Sequence, residues 1–178
     1  MKTRIKDVLE LLLKLLKQAK PYIIIVIVVV IVRTFLFTPV IVVGDSMVPT
    51  LKDKQILLLD KISYRFQKIE RFDIVVIKVG KKEIIKRVIG LPGENIEYID
   101  NVLYVNGEII HSDYEFATED FTIEDIGKDL YHQVPENEYL VLGDNRVVSA
   151  DSRIMGFIDR KDILGKTNIS IWPIKKIH

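Results

Sequence analysis

The sequence predicts a mostly β protein, built from antiparallel strands and carrying one apolar helix at its amino terminus. Three observations lead there. Residues 22–32 read YIIIVIVVVIV without a charge. Beyond Pro39 the apolar runs turn short, at Val40–Val43, Ile56–Leu59, Ile74–Val79, Glu83–Ile89, Ile96–Ile99, Val102–Val105 and Tyr139–Leu142. Turn signals separate them, among them Leu91-Pro92-Gly93, Asp100-Asn101 and Asn106-Gly107, residues that favour turns for local backbone reasons.

The amino-terminal segment comes first. The 16 residues from Tyr22 to Phe37 would rise about 24 Å as a helix, short of a ~30 Å hydrocarbon core. Lys20 and Arg33 flank the run and can place their charges among the headgroups while their alkyl stems stay in lipid. Residues 21–38 therefore read as a single transmembrane anchor. A cleavable secretory signal is the first rival, but no small-x-small site follows the run. A buried strand is the second, and eleven uninterrupted residues are long for one. Upstream, Glu10, Lys14 and Lys17 form one polar stripe among leucines, the pattern of an amphipathic helix on a membrane surface leading into Pro21.

Charge sets the orientation. The formal net charge of +1 hides six Lys or Arg against two acids in residues 1–20, which leaves −3 for everything after. Cationic flanks stay on the cytoplasmic side, so residues 1–20 are expected in the cytoplasm and residues 39–178 outside it. A nucleic-acid binder would spread positive charge over a folded face, and this chain does not. Cysteine is absent, which excludes disulfides, thiolate nucleophiles and thiolate metal sites, and suits life outside the cytoplasm.

The body follows. Its strands lie too close together in sequence for crossover helices, so antiparallel pairing is expected. Asn106-Gly107, between Val102–Val105 and Glu108-Ile109-Ile110, predicts a hairpin because both positions tolerate positive φ. Residues 111–133 are acidic and weakly periodic, and read as a solvated excursion between strands.

Candidate chemistry starts at Gly44-Asp45-Ser46-Met47-Val48-Pro49-Thr50-Leu51, where one small hydroxyl sits among residues that bend a backbone. His111, His132 and His178 read as ordinary surface residues, and no ligand spacing predicts a metal. If Ser46 is a nucleophile, a lysine is the alternative base, since burial can drive its amine below the usual pKa of about 10.4. Lys86 fits by pattern, set within an apolar strand on the face opposite Ile85 and Arg87. A lysine facing solvent from an edge strand is the other reading of the same pattern. Asp144, Arg146, Asp151 and Arg153 are placed to tie one loop together by charge-assisted hydrogen bonds, which would make the segment around Ser149 rigid.

These segments closely resemble the type I signal peptidases, the membrane-anchored Ser-Lys proteases of the S26 family. The serine box resembles Gly44–Leu51 and the lysine box Lys86–Gly93. The final box resembles Gly143–Arg146 continued through Ser149, Asp151, Ser152, Arg153 and Gly156, and Arg71–Val76 is similar to an intermediate box. The order of the boxes is kept. The resemblance implies an antiparallel β catalytic domain in residues 39–178, with Ser46 as nucleophile, Lys86 as general base and Ser149 orienting the amine. It implies that Asp144, Arg146, Asp151 and Arg153 are structural supports, and that no cofactor or metal is needed. The expected substrates are signal-peptide-bearing preproteins met at the bilayer, cut by a serine endopeptidase, with Val42 and Ile85 flooring shallow pockets. Gly44 stands where some relatives have a serine that donates to the oxyanion, which leaves the Ser46 N–H as that donor. Glycine there resembles the Gram-positive kind, and Lys86, where relatives of the endoplasmic-reticulum type have histidine, resembles the bacterial kind. Val147, Val148 and Glu94 depart from common family residues. Two other functions fit parts of the chain: a Ser-Lys self-cleaving regulator, and a non-catalytic membrane-tethered β domain that binds exported chains.

Overall fold

The computed structural model describes residues 2–111, 116–127 and 130–177, except the side chains of residues 2–13 and Leu16. The chain divides into two units, residues 1–37 and 38–178.

The first unit is helix α1 (Lys2–Ile31), extended by one π-helical turn at Val32–Leu36. The sequence reading divides a surface helix from the anchor at Pro21, and α1 runs through that boundary without a break. A proline removes one backbone donor, and in an apolar segment the remaining groups have no partner other than the helix itself. The apolar stretch is therefore longer than residues 22–37. It runs over 20 residues from Lys17 to Leu36 with mean hydropathy 2.2 and nothing buried. Such a helix rises about 30 Å, enough to cross a bilayer. The Leu9–Leu13 part of the amphipathic stripe lies outside the described side chains.

The second unit is β. One nine-stranded sheet has the order β12-β11-β2-β10-β3-β4-β8-β9, with β1 also paired to β2. Its strands are β1 (Phe37–Ile41), β2 (Ile56–Asp60), β3 (Ile74–Val79), β4 (Lys82–Gly90), β8 (Glu138–Leu142), β9 (Ile158–Asp159), β10 (Ile163–Lys166), β11 (Ile169–Trp172) and β12 (Ile174–Lys176). A second sheet holds β5 (Ile96–Ile99), β6 (Val102–Val105) and β7 (Glu108–Ile109). Neighbours along both paths pair antiparallel, as the sequence predicts. The predicted hairpin turn is present, with Asn106 and Gly107 both at positive φ. Short helices α2 (Ser63–Phe66), α3 (Ile123–Gly127) and α4 (Ser152–Met155) fill connections. Strands β9–β12 were not among the predicted runs, because the carboxyl-terminal segments are short and interrupted by charges or Gly165.

Alternation sorts the core. Ile85 joins Val42, Met47, Leu51, Leu57, Ile74 and Val76 in one cluster, whereas Val88 joins Val75, Ile77 and Val141 in another. A third cluster packs Ile96, Tyr98, Leu103 and Val105 against Leu140 and Leu142. Phe121, Ile123 and Ile126 belong to that third cluster, and Tyr98 bridges Phe121 through its backbone. The expectation of a solvated excursion at 111–133 is thus corrected for its described part. Its acids face water, but its apolar residues cover the second sheet, whose open face would otherwise leave about 25 cal/mol per Å² of burial unrealised.

Candidate active site

Three segments converge where β4 meets the loop after β8. The register of β4 puts Lys86 opposite Val75 on β3 and Arg87 opposite both Ile74 on β3 and Leu142 on β8. In the two ladders of β4 Arg87 is the residue shared, residues 82–86 pairing with β3 alone and Val88 and Gly90 with β8. Lys86 lies at that boundary and is 3 % exposed. The reading of Lys86 as a solvent-facing edge lysine is ruled out by this burial. Its Nζ donates to Ser149 Oγ at 3.0 Å. Burial holds the amine below the ordinary lysine range, Asp151 and Asp144 pull it back up, and Arg153 pushes it down.

Arg87, the next residue, is sent to the opposite face and is fully buried against Asp144. Its Nε donates to Asp144 Oδ1 at 2.9 Å and its Nη2 to Oδ2 at 2.7 Å, a bidentate pair, while Nη1 donates to the Phe72 carbonyl at 3.0 Å. A buried guanidinium must be satisfied on several sides, and here it is. The pair ties β4 to the loop at the point where Lys86 emerges.

That loop is organised around Asp151. Its carboxylate accepts from the Gly143 N–H at 3.0 Å and from Arg153 Nε at 2.9 Å. Burial pushes the Asp151 carboxyl up, but hydrogen bonds from Arg153, Gly143 and Ser149, with the Arg153 charge, outweigh it and hold the group below its usual value. Arg153 also donates to the Arg146 carbonyl at 2.6 Å. Arg146 donates to the Gly143 carbonyl at 2.9 Å and to Thr118 Oγ1 at 2.6 Å, and it lies over the Tyr98 and Phe116 rings. Ser152 Oγ accepts the Val141 N–H at 2.9 Å. Asp151, Arg153 and Arg146 are therefore joined in one run of contacts, which Thr118 from the corrected 111–133 segment extends, while Asp144 is held separately by Arg87.

The third segment carries Ser46. Val42 and Met47 are buried in one cluster with Ile85, so the turn between them is clamped while Ser46 itself is half-buried. Gly44 opens the turn at φ +82 and its N–H donates to Asp53 Oδ1 at 2.9 Å. The Asn145 N–H donates to the Ser46 carbonyl at 3.0 Å. Ser149 Oγ, Ser149 Cβ and the Ser46 carbonyl oxygen all lie within 2.6 Å of the point that a Cβ on residue 143 would occupy. Only glycine at 143 lets the serine turn, the Ser149 hydroxyl and the β8 end approach this closely. Lys86 joins them through Ser149. Val42 and Ile85 are buried near neighbours in the cluster beneath the turn.

Two relationships escaped sequence reasoning. Arg87 was visible only as the residue after Lys86; a charged residue at an inward position of an apolar strand signals a buried partner, and Asp144 was available. Gly143 carried no signal of its own beyond its place before Asp144. His132 is exposed beside Glu124, and His111 is exposed; His178 lies outside the described residues. Among the described residues no group of His, Cys, Asp or Glu could hold a metal.

The sequence profile of the family described as "Signal peptidase, peptidase S26" matches residues 15–172. The chain belongs to this family. The S26 membership is supported by curated relatives over most of the chain. It is 42 % identical over 168 residues to signal peptidase I of Bacillus caldolyticus, covering 88 % of this chain and 91 % of that protein. It is 37 % identical over 159 residues to signal peptidase IB of Staphylococcus aureus, covering 82 % of this chain and 83 % of that protein. The crystal structure of a signal peptidase I from Enterococcus faecalis superposes with TM-score 0.52 at 38 % identity, over 56 % of this chain and 97 % of that one. As an S26 peptidase the chain is a hydrolase of peptide bonds on a mostly antiparallel β fold.

Proposed function

We propose that this S26 peptidase is anchored in the membrane by the apolar helix that spans Lys17–Leu36, exposes residues 39–178 outside the cytoplasm, and removes signal peptides from exported preproteins with Ser46 as nucleophile and Lys86 as base. The observation that carries the reading is the Lys86 amine, buried, held below its ordinary pKa and 3.0 Å from Ser149. Such an amine is neutral over more of the pH range than a wet one and can accept a proton.

Ser149 explains how the lone pair stays available. Its hydroxyl has one proton, and the Asp151 carboxylate beside it takes that proton as a hydrogen bond. The Ser149 oxygen can then only accept from Lys86, so one N–H of the neutral amine is used and its lone pair is left for another partner. In acylation the Ser46 oxygen bonds to the scissile carbonyl carbon and its proton passes to Lys86 Nζ. The tetrahedral oxyanion is held by the Ser46 N–H, one such donor being worth about 10²–10³ in rate. The ammonium then gives its proton to the departing amine as the peptide bond breaks. Water repeats the sequence on the ester and restores Ser46. Gly44, at positive φ, leaves the backbone as the oxyanion donor.

An extended precursor fits the open half of β4, residues 82–86, which β8 does not cover, in the manner of strand addition. Val42 and Ile85 floor the pocket for the small side chains before the cut. The test is cleavage of a signal-bearing precursor by the purified full chain and by Ser46→Ala and Lys86→Ala. Both variants are expected to fold and to lose processing; processing retained by either sinks the dyad, and a parent chain that leaves the precursor intact sinks the activity.

A further inference from the structure

The domain from residue 38 onward is acidic, with 19 basic against 23 acidic residues, yet four of its thirteen lysines line one cleft. The cleft has a volume of about 400 Å³ and is lined by Lys61, Lys78, Lys81 and Lys82, with Thr38 and a single carboxylate, Glu83. The β3–β4 hairpin builds it. Lys78 stands opposite Glu83 and Val79 opposite Lys82 in the ladder, and Lys81 follows the turn glycine Gly80, at φ +60. Lys78, Lys81 and Lys82 are exposed. Glu83 offsets one of the three exposed ammoniums of Lys78, Lys81 and Lys82, so the hairpin brings a formal charge of about +2 to the cleft. Nothing in the proposed peptidase chemistry uses it.

Its place along the chain says what it faces. Thr38, in the cleft wall, is the second residue after Leu36, where the 20-residue apolar span ends. Two residues reach about 7 Å at most. If the span crosses a bilayer, Thr38 lies at the headgroup layer, however the domain is turned. Lysine ammoniums bind phosphate as compact point charges without requiring a planar partner. We propose that this cleft holds the phosphate headgroup of an anionic phospholipid, an inference that rests on the anchor reading and not on the Ser46–Lys86 chemistry. The headgroup would fasten the β3–β4 hairpin to the leaflet, and with it the base of the strand that presents Lys86.

The test uses the full chain in nanodiscs of phosphatidylcholine, with or without phosphatidylglycerol. Reactivity of each lysine toward an amine reagent is read by mass spectrometry. Lys78, Lys81 and Lys82 are expected to label about fivefold more slowly with phosphatidylglycerol present, while Lys161 and Lys175, outside the cleft, change little. Gln replacements at 78 and 82 are expected to restore labelling of Lys81. Equal labelling in both discs overturns the site, as does equal protection of the reference lysines, which would mark a general surface effect. Protection by inorganic phosphate in phosphatidylcholine discs overturns the lipid in favour of a soluble anion. A chain that does not enter the discs overturns the anchor reading and the site with it; cleavage of precursor in detergent is a separate readout that neither result touches.

Discussion

Gly143→Ala is the sharpest test of how the site is assembled. The added methyl would lie 2.5 Å from the Ser46 carbonyl oxygen and 2.6 Å from Ser149 Cβ, and would overlap Ser149 Oγ outright. Ordinary contact begins at 3.4 Å, so the Ser46 backbone must retreat by about 0.9 Å or the β8 end must yield. Overpacking of this kind costs roughly 1–3 kcal/mol. For a domain of this size the unfolding entropy is roughly 0.3 kcal/mol/K, so a 2 kcal/mol loss lowers Tm by ~7 °C. The chemistry should suffer more than the fold, since a ~1 Å misplacement of reacting groups costs on the order of 10²-fold in rate. The assay is kcat/KM for a signal-bearing precursor, measured well below the melting temperature of the variant, alongside thermal unfolding. Gly107→Ala is the control: φ there is +82 and nothing lies within 4 Å of the new methyl, so it should strain the fold by about 1 kcal/mol and leave kcat/KM alone. If Gly143→Ala cleaves within about twofold of the parent, the convergence on this glycine does not position the reacting groups.

Other expectations follow from the same contacts. Activity should rise with pH through the lowered Lys86 pKa and level off below the ordinary lysine value of about 10.4; a rate still climbing there would show a wet amine. Because the unfolded chain holds this proton to higher pH than the folded one, Lys86 costs stability in full below its folded pKa, and stability recovers as pH rises toward 10.4. Lys86→Met should therefore abolish cleavage while removing that slope from a series of denaturant melts. Asp144→Ala strands the Arg87 guanidinium in the core and should destabilise by about 3–5 kcal/mol, whereas a denaturant midpoint unchanged from the parent would mean that water reaches Arg87. At Asp151 the sign is the reverse: its lowered pKa stabilises above the unfolded value of about 3.9 and the benefit disappears as pH falls through the folded pKa, so Asp151→Asn should flatten the acid limb of stability. Gly44→Ser places a side chain at φ +82 and should cost about 1–2 kcal/mol without increasing kcat; a faster enzyme would mean that the new hydroxyl reaches the oxyanion.

The β body was legible because its strands are short and bounded by turn residues, and because Asn106-Gly107 has one comfortable backbone solution. The apolar helix was legible from composition, but its length was not: the boundary was drawn at Pro21, and the sequence alone does not reveal that an isolated apolar helix has nothing better to do than continue through it. Residues 116–127 were misjudged because their acids dominate the composition, while Phe121, Ile123 and Ile126, which decide where the segment goes, are few. At the site, Lys86 and the four loop charges could be named from residue types and spacing, whereas Ser149 came only from the resemblance to the family. What joins them could not. The Arg87–Asp144 pair, the Thr118 contact and the closeness at Gly143 are long-range facts, set by the register of β4 between β3 and β8, and register is not written in any one strand.

The two ion pairs beside Lys86 have a consequence for how the enzyme would be tuned. Arg87 is paired with Asp144 and Arg153 with Asp151, so the formal charges around the amine balance, and what lowers its pKa most is burial. Of the influences on the amine, hydration is then the largest dial. A polypeptide lying across the open half of β4 would dry the amine further, so that occupancy by the chain to be cut would itself ready the base, and an empty groove would leave it idle.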